Sequence, residues 1–262
     1  MLRPRIIPCL LVHQRGLFKT VGFKNPKYVG DPINAVKIFN EKETDELIVL
    51  DIDATINNTE PDFKLITYLA SECRMPLCYG GGVKTNAQIK KIISLGVEKV
   101  AISSAAIENP MLIKNASAKV GNQSLVVIID VKKRFPSNKY EVYTHRGRKR
   151  TGRNPLELAV QMEKFGAGEI VINSIINDGA MKGYDLKLMR QIRNAVNVPV
   201  TALGGAGSLQ DISKVISECD VSGAAVGSLF VFKGAYKAVL INYPETTEKD
   251  ALIGNKLTNR KI

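Results

Sequence analysis

From one end of the chain to the other, short apolar runs alternate with longer stretches in which apolar residues recur every three or four positions. The runs RIIPCLLV (5–12), ELIVLDID (46–53), PLCYGG (76–81), KVAISS (99–104), SLVVIIDV (124–131), EIVINSI (169–175), VPVTALGG (198–205) and GAAVGSLF (223–230) each predict a strand. Between them DPINAVKIFNEKE, TNAQIKKIISLG, NPLELAVQMEKFG and YDLKLMRQIRNAV have helical period, several opening on an Asp or Asn cap and several closing on Gly. Strands apolar on both faces, each followed by a helix, predict an α/β fold of parallel type, a (β/α)8 TIM barrel over residues 1–245. The rival, an open doubly wound sheet, lacks a GxGxxG after the first strand. Three stretches are less regular. Residues 13–31 form a Gly-punctuated connection, a candidate lid; KYEVYTHRGRKRTG reads as a hairpin after the fifth strand; and 246–262, polar with little periodicity, is expected to be a loosely ordered tail.

The pattern is also doubled. PLCYGGGVKTNAQIKKIISLGVEKVAISSA can be laid on PVTALGGAGSLQDISKVISECDVSGAAVGS, matching Gly82 to Gly205, and the same offset matches Glu46 to Glu169. A half-barrel repeat follows. At a slightly different offset the first and fifth strands match as well, and that register sets Leu11 opposite Asp130.

Composition narrows the chemistry. Four scattered cysteines without a C-x-x-C pair point to core residues rather than a disulfide framework or a zinc site, and two histidines make a His-rich metal centre a poor fit, so no metal or cofactor is expected. No apolar stretch approaches the ~20 residues of a membrane span, and the amino-terminal run lacks a signal-peptide cleavage pattern; a cytoplasmic protein without a membrane partner is expected. The formal charge of +12 is dispersed, and its densest cluster, HRGRKR, lacks the interleaved aromatics of a single-strand binder. The charge therefore fits an anionic small-molecule ligand better than nucleic acid.

Candidate chemistry lies at the strand ends. YGGG (79–82) and LGGAG (203–207) allow backbone N–H groups to approach an anion, and Ser103-Ser104 and Gly227-Ser228 add hydroxyl and amide donors. Two copies, each with a serine, point to a ligand with two anionic ends, although tight turns alone also use glycine. Carboxylates end the second strand at Asp51 and Asp53, the fifth at Asp130, and follow the sixth at Asp178. Asp130 is the strongest acid/base candidate because it closes a wholly apolar strand. Arg5, Glu46, Lys99 and Glu169 begin four separate strands, forming either a salt-bridge plug or a gate across the floor. Glu46 is out of phase with Asp51, so its orientation stays open.

RIIPCL, DELIVLDI, GGGVKT, EKVAISSAA, Asp130, EVYTHRGRKRTG, GAGEIVINSI, NDGAMKGYD and GGAGSL together resemble the cyclase subunit of imidazole glycerol phosphate synthase, over about residues 1 to 235. In that family the top of the barrel binds a bisphosphorylated ribonucleotide, a separate glutaminase docks on the bottom, and ammonia travels along the barrel axis. The resemblance implies phosphate or substrate roles for Lys19, Gly82, Ser104, Asp178, Gly179, Gly205 and Ser228. It recasts Arg5, Glu46, Lys99 and Glu169 as an ammonia gate.

The chain departs from that family at the chemistry. The family's two catalytic carboxylates end the first and fifth strands; here Asp130 faces Leu11. A polar residue of the seventh strand is Leu203 and a threonine of the sixth is Asn173. LLVHQRG, PLCYGGG, INDGAMKGYD and LFVFKGAYKAVLINYP are similar to a divergent branch linked with surface-polysaccharide genes. That similarity implies delivery of ammonia to an N-acetyl sugar amidotransferase that makes an acetamidino sugar. The alternatives are a genuine cyclase of histidine biosynthesis and a noncatalytic scaffold and ammonia conduit.

Overall fold

Every predicted apolar run is a strand with a parallel neighbour on each side, and the eight close on themselves. The computed structural model describes residues 3–258. The strands of the main sheet are β1 (Arg5–His13), β2 (Gly16–Val21), β3 (Lys24–Gly30), β4 (Leu47–Asp51), β5 (Leu77–Gly80), β6 (Lys99–Ile102), β7 (Leu125–Lys133), β8 (Tyr140–Thr144), β9 (Lys149–Arg150), β10 (Glu169–Ser174), β11 (Val200–Leu203) and β12 (Gly223–Val226). The barrel order is β1-β4-β5-β6-β7-β10-β11-β12 and back to β1, all parallel. The helices are α1 (Pro32–Glu41), α2 (Phe63–Glu72), α3 (Asn86–Ser94), α4 (Ser104–Glu108), α5 (Met111–Val120), α6 (Pro155–Lys164), α7 (Leu186–Ala195), α8 (Leu209–Cys219) and α9 (Thr246–Thr258). None is long and apolar enough to cross a membrane.

The caps form where the sequence places them. Asp31 accepts from the Asn34 N–H, Asn154 from Leu156 and Asp185 from Leu188, each satisfying an amide the helix leaves unpaired. Thr85 with Gln88 and Ser208 with Asp211 make capping boxes.

Alternation along the strands sorts the core in two. Outward residues such as Ile6, Leu47, Tyr79 and Ile129 pack under the helices. Inward residues, among them Ile7, Cys9, Ile48, Val126 and Val171, fill the barrel, with Leu11 and Leu50 packed on top of them. The four cysteines are free.

The segment read as a candidate lid is the hairpin β2–β3, antiparallel to the end of β1 through Leu11↔Phe18 and His13↔Gly16. Lys19 and Thr20 are both buried, and a Cβ on Gly179 would meet the Thr20 carbonyl at 2.0 Å, so this hairpin is packed down on the chain after β10. Its anchoring comes from non-local contacts that its mixed polar sequence does not display. The tail expected to be loose is α9 through Thr258, with residues 259–262 outside the described part. It docks because buried Lys249 donates to the Glu43 carbonyl and to Asp45, while Ile253 joins the outer core. The predicted hairpin after the fifth strand is β8–β9, antiparallel to β7.

Candidate functional site

At the amino-terminal end of the barrel the four charged residues alternate in sign around a closed ring. Arg5 donates to Glu46 and, at 2.8 Å, to Glu169; Lys99 reaches Glu46 and Glu169 at 2.9 Å each. Thr201 donates to Glu169 at 2.6 Å. Glu46 points inward because its partners in phase are Ile48 and Leu50, whereas Asp51 turns back to accept from the amides of Asp53 and Ala54. Burial alone would raise the Glu169 carboxyl, but Arg5 and Lys99 beside it hold it below the usual range. Both glutamates are almost wholly buried while the cations stay partly exposed, so the ring faces outward as a charged floor.

At the carboxyl end the strands open on a cavity that collects Lys19, Gly82, Ser104, Asp130, Asp178, Gly179, Gly205 and Ser228, with Asp51 also in its wall; Asp53 lies outside it. One half brings together Gly82 and Ser104, the other Gly179, Gly205 and Ser228, with Lys19 reaching in from β2 and Asp130 and Asp178 in the wall. Gly82 (φ +70°) and Gly205 (φ +127°) occupy conformations that strain other residues, and a Cβ on Gly205 would lie 2.2 Å from the Gly183 carbonyl. Turn geometry therefore already demands these glycines. The ligand-binding capacity lies in their N–H groups, which have no acceptor among the described residues.

The middle of the cavity is divided by chemistry. In register, Leu11 stands beside Leu50 on β1 and β4, and Asp130 beside Asn173 on β7 and β10, so the matching halves of the repeat present an apolar pair and a polar pair. Leu203 extends the apolar side. Burial pushes the Asp130 carboxyl up to about 7, even though Asn173 Nδ2 donates to it at 3.1 Å. Asn173 Oδ1 is buried without a partner, leaving an acceptor to spend on a ligand; the Ser103 hydroxyl is turned to Asp130 and, like Asn173, opposes the upward shift. Asp178 is pushed up to about 6 by burial, against the opposing pull of Lys19 and of Thr20, whose hydroxyl donates to it at 3.3 Å. Burial lowers the Lys19 ammonium, which donates to the Cys9 carbonyl.

Asp130 has a pH signature. The folded protein holds its proton up to near pH 7, whereas an ordinary carboxyl releases it near 3.8, so the native state binds more protons between those values and stability falls as pH rises through them. Asp130→Asn is expected to stabilise the protein by about 2 kcal/mol at pH 8 and to change little near pH 4. This is below the ~4 kcal/mol of full desolvation because the cavity admits solvent. Urea unfolding at the two pH values checks it; a loss of stability at pH 8 would contradict it.

Motif reading missed three contributors. Ser103 stands in the sequence only as part of a serine pair, and Asn173 only as a departure; neither local sequence shows its contact with Asp130. Arg146, within the cluster read as dispersed basic surface, also lines the cavity. Its position follows from a long-range contact of the β8–β9 turn.

The sequence matches the model of the Histidine biosynthesis protein family over residues 5–237. It is 55% identical over 252 residues to the "Putative imidazole glycerol phosphate synthase subunit HisF" of Leptospira interrogans, covering 96% of this chain and 99% of the relative. It is 52% identical over 250 residues to the similarly named hisF2 protein of Pseudomonas aeruginosa, covering 95% of this chain and 99% of the relative. To the imidazole glycerol phosphate synthase subunit HisF of Lactococcus lactis strain SK11 the identity is 40% over 265 residues, covering 100% of this chain and 98% of the relative. With the closed barrel, these matches establish that the chain belongs to the histidine biosynthesis family, with the HisF proteins as its relatives.

Proposed function

We propose that this protein is the barrel subunit of a glutamine-dependent complex that receives ammonia through its floor and no longer cyclises a ribonucleotide efficiently. The observation that carries the reading is the contrast between the two ends of the barrel. The charged ring of Arg5, Glu46, Lys99 and Glu169 is complete, while the upper wall facing Asp130 is Leu11 beside Leu50. A separate glutaminase docks on the floor. The cradles of Gly82 with Ser104 and of Gly179, Gly205 and Ser228 with Lys19 hold the two phosphates of an anionic ligand, Asp178 stands by Lys19, and Asp130 is the remaining proton-transfer group. In the finer form of this reading, ammonia passes to an N-acetyl sugar amidotransferase of surface-polysaccharide biosynthesis.

The HisF names of the relatives favour a second reading, a working cyclase of histidine biosynthesis. Leucine cannot take or give a proton, and the loss of one acid/base group costs roughly 10² to 10⁴ in rate. That penalty puts the second reading behind the first. The test is association: mixed with the glutaminase subunit of the same organism, the protein is expected to co-elute with it in gel filtration and to raise its glutamine hydrolysis. Separate elution with unchanged hydrolysis would sink the proposal.

A further inference from the structure

Each half of the barrel sends one hairpin over the mouth. β2–β3 follows β1, β8–β9 follows β7, and β1 and β7 are the matched first strands of the repeat. The two hairpin tips meet, since a Cβ on Gly147 would lie 3.1 Å from the Phe23 ring. The first hairpin carries Lys19 to the second-half cradle, where a Cβ on Gly227 would come within 3.3 Å of Lys19 Nζ. The second hairpin carries Arg146 to the cavity wall. The residue before it, His145, donates its N–H to the Ser104 hydroxyl at 3.0 Å, which ties this turn to the first-half cradle.

The acids around the two cations match as well. Lys19 feels Asp178, just beyond β10; Arg146 stands 3.8 Å from Asp53, just beyond β4. Asp53 is already engaged, because its carboxylate takes His13 Nδ1 at 2.7 Å and the Gln14 N–H at 2.8 Å. The Arg146 side chain is only 16% exposed, and its guanidinium makes no hydrogen bond with any other described residue. A planar fork of donors, mostly withdrawn from water and facing a cavity, is suited to bidentate contact with an oxyanion.

We propose that Arg146 is the cation of the Gly82 and Ser104 cradle and binds one phosphate of a doubly phosphorylated ligand whose other phosphate lies beside Lys19. The assignment deepens the two-cradle reading and rests on it. Each half of the barrel then contributes a glycine turn and a serine hydroxyl, and the hairpin of the opposite half contributes the charge. Such crossing of parts requires both hairpins in place before a ligand can bridge the mouth.

The test is a titration with inorganic phosphate, followed through the backbone amide resonances of Gly82 and Gly205. In the wild type both are expected to shift saturably. In Arg146→Gln the Gly82 response should need at least ten times more phosphate while the Gly205 response is unchanged, and Arg146→Lys should recover part of the loss. Asp53→Asn, which removes the ion pair but keeps the cation, should bind at Gly82 no more weakly than the wild type. Equal binding at Gly82 in wild type and Arg146→Gln, or an equal loss in Asp53→Asn, overturns the assignment and leaves the cradle standing. No response at Gly82 in the wild type overturns the cradle reading and this inference with it.

Discussion

Incubated with the bisphosphorylated ribonucleotide of the histidine pathway and an ammonium salt, the wild-type protein is expected to form imidazole product at least about 10²-fold more slowly than a relative with both strand-end carboxylates. The cause is local and visible. Asp130 remains, with a pKa near 7 suited to proton transfer at neutral pH, but the position across the cavity is Leu11, stacked in register on Leu50. Leu11→Asp alone is expected to recover less than a tenth of the missing rate. The new carboxylate would enter a wall that Leu50 and Leu203 make apolar, where burial favours its protonated form, and the nearby Lys19 ammonium is already given to the Cys9 carbonyl. Product formation by the wild type at the rate of an ordinary family member would contradict this. Full recovery in the single variant would show that Leu203 and Asn173 are incidental.

The floor should respond just as strongly, in stability. Lys99→Ala removes one of two cations from between two buried glutamates, and is expected to cost about 3 kcal/mol, because the remaining carboxylates lose a partner while staying out of water. The sign with pH follows from Glu169, whose carboxyl is held below its ordinary value: the ring's contribution is complete above that ordinary value and is lost as pH falls through the folded one. Urea unfolding of wild type and variant should therefore converge in acid. Replacing all four residues with Met or Leu should leave stability within about 1–2 kcal/mol of the wild type, since apolar substitutes avoid the desolvation cost. If such an apolar floor still supports glutamine-dependent amidation, the ring is a plug and nothing more.

The fold was legible in the chain because each βα unit carries its own signal: an apolar run, a cap such as Asp31 or Asn154, and a glycine turn. What escaped was set by contacts distant in sequence. Glu46 is out of phase with Asp51, and Asp51 is no guide to the inward face: as the last residue of β4 it turns its carboxylate to the amides of Asp53 and Ala54. Lys19 and Thr20 are adjacent and both buried, which breaks the alternation that would have marked β2 as a packed strand. Lys249 anchors α9 through a carbonyl and a carboxylate more than two hundred residues away, so its polar sequence gave no sign of docking. The upper site divides in the same way. Its glycines and serines, Asp130 and Asp178 are legible from motifs and resemblance, whereas the place of Arg146 and the contacts of Ser103 and Asn173 with Asp130 depend on where hairpins and strands finally meet.

The central claim is that the barrel carries ammonia from a glutaminase on its floor to an acceptor beyond its mouth. The most direct measurement combines the protein, the glutaminase, the sugar amidotransferase and its N-acetyl sugar substrate with glutamine labelled with ¹⁵N in the amide, in an excess of unlabelled ammonium. Mass spectrometry of the sugar product then reads the source of its nitrogen. The account predicts product carrying the label far above its share of the free ammonium pool, falling to that share when the barrel subunit is omitted. Product with only the pool's share of label in the complete mixture would contradict it.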